Sequence, residues 1–81
     1  MSDADLADAT MALTPGTQVH CGGLLIGRVI RPWFSDASTV TGTALLNGMF
    51  YRGQDGKLMV PVQLDGSRLW TWWGVNQCTP I

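Results

Sequence analysis

The sequence predicts an all-β fold, a small five- to six-stranded barrel or meander sheet with a short N-terminal helix. Three observations carry that expectation. Four two-residue turn signals punctuate the chain after Gly16: Gly22–Gly23, Asn47–Gly48, Asp55–Gly56 and Asp65–Gly66. Asn-Gly and Asp-Gly are favoured hairpin centres because both central residues take positive φ. The segment Arg68–Leu69–Trp70–Thr71–Trp72–Trp73–Gly74–Val75 holds three of the four tryptophans and is apolar on both faces of a strand. The third observation is length: 81 residues build one thin core and leave little material to cover a sheet on both sides.

The first element is a helix over residues 3–13. Ser2 is a suitable N-cap, Asp3 and Asp5 sit where the helix dipole favours negative charge, and Leu6, Ala9 and Leu13 recur at helical spacing. Thr14–Pro15–Gly16 ends it. So short a helix is marginal alone and needs a surface to dock on. The expected division is therefore an acidic helix or arm over 1–14 and a small β-barrel domain over 15–81.

The turn signals imply strands near 17–21, 24–31, 39–46, 49–53, 57–64 and 67–75, with Pro32–Ser38 as the long connection. They also set a register. Two-residue turns place Leu46 opposite Met49, Tyr51 opposite Val60, Val62 opposite Leu69 and Leu58 opposite Trp73. One face then carries Leu46, Met49, Tyr51, Leu58, Val60, Val62, Leu69 and Trp73, and is the expected core. Val19, Cys21, Leu24, Ile26 and Ile30 of the first hairpin are expected to cover it. The second face carries Leu45, Phe50, Arg52, Met59, Pro61, Arg68, Trp70 and Trp72. A solvated face would be polar, whereas this one is aromatic with two arginines. Pro61 has no N–H to give, so the ladder between strands 49–53 and 57–64 is expected to break there. A one-residue slip around Gln54 would exchange the two faces of strand 49–53.

The runs Pro15–Gly16–Thr17–Gln18–Val19, Leu25–Ile26–Gly27–Arg28–Val29–Ile30 and Leu64–Asp65–Gly66–Ser67–Arg68–Leu69–Trp70 resemble SH3-like small β-barrels of the KOW kind. Those barrels open with a G-x-x-V strand, follow it with a G-x-V strand and later place a D-G hairpin. The resemblance covers about residues 15–80 and implies a closed barrel whose first and last strands lie near each other. Fold of this type does not settle role. Type II dihydrofolate reductases share the barrel class, but Val62–Gln63–Leu64–Asp65 departs from their Val-Gln-Ile-Tyr segment at the tyrosine.

Residues suited to catalysis are sparse. His20 is the only histidine, and its neighbour Cys21 would point to the opposite face of a strand. Asp55 and Asp65 belong to turns, where aspartate is favoured for backbone reasons. No pair of carboxylates is forced onto one rigid face, as acid–base work requires. Gly22–Gly23 opens a strand rather than a helix, so it is no phosphate loop. Cys21 and Cys78 are too few for a metal centre and are expected to be buried free thiols. The expectation is a protein that is no enzyme and binds no cofactor or metal.

What remains is contact chemistry. Trp70, Trp72, Phe50, Arg52, Met59 and Arg68 are the expected partner-binding residues, because aromatics and arginine dominate interface hot spots. The other readings of this face are internal packing beneath the N-terminal helix or the 32–38 loop, and a nucleic-acid or carbohydrate site. Hydrophobic residues make up 46% of the chain and charged ones only 14%, a profile expected either of a tightly closed small barrel or of a surface covered by something else, such as another subunit. A phage or virion accessory protein, or a small inhibitor of a host protein, fits this description. The alternative is a nucleic-acid-associated barrel that stacks single strands on its aromatics. With a net charge of −1, one lysine and no glutamate, the chain is poorly equipped for phosphate backbones. An acidic start and the lack of a roughly 20-residue apolar stretch lead to the expectation of a cytoplasmic protein, virion-associated if of phage origin, without a membrane segment.

Overall fold

The computed structural model describes residues 3–32, 45–46, 48–53 and 55–81. Within them the chain forms helix α1 (Asp3–Ala12) and strands β1 (Gln18–Cys21), β2 (Leu25–Val29), β3 (Tyr51–Arg52), β4 (Leu58–Leu64), β5 (Thr71–Gly74) and β6 (Cys78–Pro80). A 3₁₀ turn, Val75–Gln77, joins the last two strands. The expected N-cap Ser2, the connection from Trp33, most of the expected strand 39–46, Asn47 and Gln54 lie outside the described residues.

All six strands belong to one antiparallel sheet. Its order is β3-β4-β2-β1-β6, with β5 paired to β4 as well. The sheet is not closed into a barrel, which corrects the closed form implied by the resemblance. β4 organises it. Met59 is paired with both Tyr51 and Gly74, and Val62 with both Val29 and Thr71. β5 therefore takes one edge of β4, while β3 and β2 divide the other edge end to end. Pro61 occupies the seam: its carbonyl accepts the Ile30 N–H at 3.1 Å, and the ladder to β3 stops at Met59. A residue's N–H and C=O point to the same edge of an antiparallel strand. The donor that proline lacks is thus missing where β4 changes partners, and this is the break expected from the sequence.

The turn residues bend the chain where expected, but the loops are longer. Cys21 pairs with Leu25, so the first loop has three residues, Gly22, Gly23 and Leu24, instead of two. Arg52 pairs with Leu58, and the Gly53 N–H donates to the Lys57 carbonyl at 2.9 Å, which gives a three-residue loop over 54–56. Leu46 and Phe50 exchange both backbone hydrogen bonds, at 2.7 and 2.9 Å, around a third loop of the same length. Three-residue loops with glycine in the left-handed region are the next most common hairpin connection after two-residue ones. Gly56, at φ 83°, supplies that conformation.

Each extra residue shifts its register by one and turns a strand over. On β2 the inward residues are Gly27 and Val29, while Leu24 is 90% exposed and Ile26 is also exposed, which reverses the expected cover from Leu24 and Ile26. Gly27 is required where it stands. A Cβ there would lie 2.7 Å from Val62 Cγ1 and 2.8 Å from the Gln63 carbonyl oxygen, so β2 can cross β4 only without a side chain. The next shift moves Phe50, expected on the partner face, to 1% exposure in the core.

The core consists of Val19 and Cys21 of β1, Val29, Met49, Phe50, Leu58, Val60, Val62 and Cys78, closed on one side by Ala9 and Leu13 from the helix. The expected helical stripe of Leu6, Ala9 and Leu13 is the docking face. Leu69, expected in the core, is 71% exposed, because the last hairpin opens into a connection over 65–70.

Candidate functional site

β5 places Trp72 and Trp73 on opposite sides of the sheet, as strand alternation requires. Trp73 pairs with Val60 and packs against the core, its ring over Gly22. Trp72 pairs with Pro61, which is fully buried beneath the other face. Around Trp72 the aromatics are tightly grouped. The Tyr51 ring centroid is 5.5 Å away with the planes tilted by 36°, and Trp70 meets it edge-on at 5.1 Å and 84°. Such separations and the edge-on geometry are favourable for π-systems, adding about 0.5–1.5 kcal/mol per pair beyond area burial. Met59 shares this face through its pairing with Tyr51. All four side chains are half-buried, so the cluster is both packed and accessible.

Of the six residues expected to bind a partner, three are brought together here: Trp70, Trp72 and Met59. Phe50 is excluded because the one-residue shift buries it. Arg52 is half-buried, and its guanidinium donates to the Gly56 carbonyl at 3.2 Å, which ties it to its own hairpin loop. Arg68 is exposed in the connection over 65–70, two residues before Trp70. Tyr51 is the residue that sequence reasoning assigned to the core. The signal that could have found it is the slip around Gln54: a three-residue loop moves Tyr51 outward in the same step that moves Phe50 inward.

Two indole N–H groups, on Trp72 and Trp73, are buried with no hydrogen-bond partner among the described residues. His20 is half-buried on the outer side of β1, opposite Ile26 and Thr79, and its Nδ1 is also unpartnered among the described residues. Cys21 is directly opposite Cys78, their Sγ atoms are 3.8 Å apart, and both are free thiols. Burial, followed by the neighbouring Cys21, pushes the Cys78 thiol up to about 12, and burial raises Cys21 as well. Among the described residues no group of His, Cys, Asp and Glu is arranged to hold a metal.

Two surface grooves are formed by the described residues. One, of about 400 Å³, runs between α1 and the sheet and is lined mainly by Ala9, Ala12, Leu13, Leu58, Val75 and Pro80. The other, of about 480 Å³, is more polar and lies along β2 and the β4 turn, with Arg28, Arg31, Gln63 and Ser67 in its walls. Among the described residues no helix is long and apolar enough to cross a membrane. No family model, no curated protein and no solved structure matches this chain.

Proposed function

We propose that this protein is a non-enzymatic binding module that assembles with protein, either with copies of itself or on a larger particle, through the Trp70–Trp72–Tyr51–Met59 face. The observation that carries this reading is the half-buried Trp72 indole, held on buried Pro61 and flanked by Trp70 and Tyr51. Large aromatics with few free rotamers make good interface anchors because little entropy is lost when they are covered. Arg68, exposed just upstream, supplies the planar cation that hot spots favour. An accessory protein of a phage or virion, or a small inhibitor of a host protein, is the kind of molecule this profile fits, acting in the cytoplasm or on the particle. An SH3-like relationship belongs to the same proposal. Its support is the pairing of the first strand, β1, with the last, β6.

Size-exclusion chromatography with light scattering, paired with a pulldown from the native host, tests the proposal. A stable oligomer or a retained partner, lost in Trp72→Ala, is the expected result. A clean monomer at high concentration with nothing retained overturns it.

The second reading is a barrel-like module associated with single-stranded nucleic acid, and the polar groove with Arg28 and Arg31 is the observation that favours it. Phosphate contacts release counterions, so such binding would weaken steeply with salt. Unchanged tryptophan fluorescence on titrating oligonucleotides at low salt would remove it.

A further inference from the structure

Cys21 and Cys78 are 57 residues apart in the chain, yet they face each other across β1 and β6, sealed in the core at 0% and 7% exposure. The backbone defines the kind of pair they form. The Gly22 N–H donates to the Gln77 carbonyl at 3.0 Å and the Ile81 N–H donates to the Gln18 carbonyl at 2.9 Å. In an antiparallel ladder hydrogen-bonded and non-hydrogen-bonded pairs alternate, so Cys21 and Cys78 occupy a non-hydrogen-bonded position. Cα atoms of such pairs lie roughly 4.5 Å apart with the side chains drawn together. That is inside the window of about 4.4–6.8 Å that a disulfide spans. Closing the sulfurs from 3.8 Å to about 2.0 Å is within the reach of side-chain rotation.

We propose that Cys21 and Cys78 form a dithiol site which a low-molecular-weight disulfide of the glutathione class oxidises to an intrachain disulfide, stapling β6 onto β1. The chemistry balances as two exchanges. One cysteine thiolate attacks a sulfur of the small disulfide, breaking its S–S bond, forming a mixed disulfide and releasing one small thiolate, which takes up the proton lost by the cysteine. The second cysteine thiolate then attacks the protein-bound sulfur of that mixed disulfide and releases the second small thiolate, which takes up the proton lost by the second cysteine. The two protein sulfurs are oxidised by two electrons in total, and the small disulfide is reduced to two thiols.

Access sets the rate. Burial holds both thiols in the protonated form, and only the thiolate attacks. Exchange therefore proceeds when β6, a strand of three residues at the edge of the sheet formed by the described residues, opens and presents Cys78. Position sets the equilibrium. The bond joins the first strand to the last, and a loop of this size confines the unfolded chain strongly. Its formation is favoured in the fold over the unfolded chain by on the order of 1000-fold.

The test is a redox titration of the full chain in graded mixtures of reduced and oxidised glutathione, quenched with acid and read by intact mass. It is run in native buffer and in denaturant. Equilibrium is approached in each case from the reduced chain and from chain oxidised beforehand in denaturant, so that slow exchange cannot masquerade as absence. The expected product is a monomer two hydrogens lighter, with an equilibrium constant on the order of 1000-fold larger in the folded state. Equal or smaller constants in native buffer overturn the proposal. So does a native product consisting of glutathione adducts or disulfide-linked dimers.

Discussion

β3 and β5 both pair with β4, and both lie in a register other than the one their turn residues predict, with opposite consequences. On β3 the offset is one residue: Tyr51 meets Met59 instead of Val60. On β5 the offset is two: Trp73 meets Val60 instead of Leu58, and Trp72 meets Pro61 instead of Met59. Strand side chains alternate with period two, so an odd offset exchanges faces and an even one preserves them. Phe50 and Tyr51 consequently changed places, whereas Trp72 and Trp73 kept theirs. A turn motif is a good guide to where a chain reverses and a poor guide to which side of the sheet the next residue joins.

The largest effect expected from this contrast is at Phe50. Phe50→Ala should destabilise the fold by about 3–5 kcal/mol, the cost of removing a fully buried aromatic. A denaturant melt measures it. If the variant keeps its midpoint and instead loses association, β3 has the register of the two-residue turn after all.

Trp73→Ala should cost about 3 kcal/mol, less than full burial would give because the ring is half-buried over Gly22. The same melt tests whether β5 kept its faces. A loss smaller than that of Trp72→Ala would mean that the even offset is wrong.

Trp72→Ala, and to a lesser degree Tyr51→Ala, should leave a folded monomer and weaken association by about 2 kcal/mol, the scale of a central hot spot. Light scattering over a dilution series reads the shift. Should Trp72→Ala unfold the chain as badly as Trp73→Ala, the face around Pro61 is internal packing and the binding proposal loses its support.

The smallest effect at neutral pH, and a visible one in alkali, comes from the thiol pair on the far edge of the sheet. The folded-state value of Cys78 is raised from 9.0 to about 12, so the fold favours the protonated thiol. That contribution is fully present below pH 9 and is lost progressively as pH rises from there through 12. Urea midpoints of the reduced protein should therefore fall above pH 9, and Cys78→Ala should flatten the decline. A midpoint independent of pH in both proteins would place Cys78 in contact with solvent.

Much of this was legible in the residues. Leu6, Ala9 and Leu13 announced the docking stripe of α1, Pro61 announced a break in the ladder, and the alternation of Trp72 and Trp73 announced two different environments. These are local properties, set by helical spacing, a missing N–H and the period of a strand. The candidate site was only half legible. Trp70, Trp72 and Met59 were found, but Phe50 was exchanged for Tyr51, because one residue in the 54–56 loop separates the two outcomes and turn chemistry tolerates both.

The order of residues alone implies a β-rich chain, the places where it reverses and the presence of one aromatic strand with two unlike faces. Glycine positions and alternating apolar residues encode those features within a few neighbours. The loop lengths, the opposition of Cys21 and Cys78, and the open sheet in which β4 serves three partners emerge only when the strands assemble. Each depends on contacts between residues far apart in the chain, where the cost of burying a side chain on the wrong face outweighs the small preference of a turn for two residues over three.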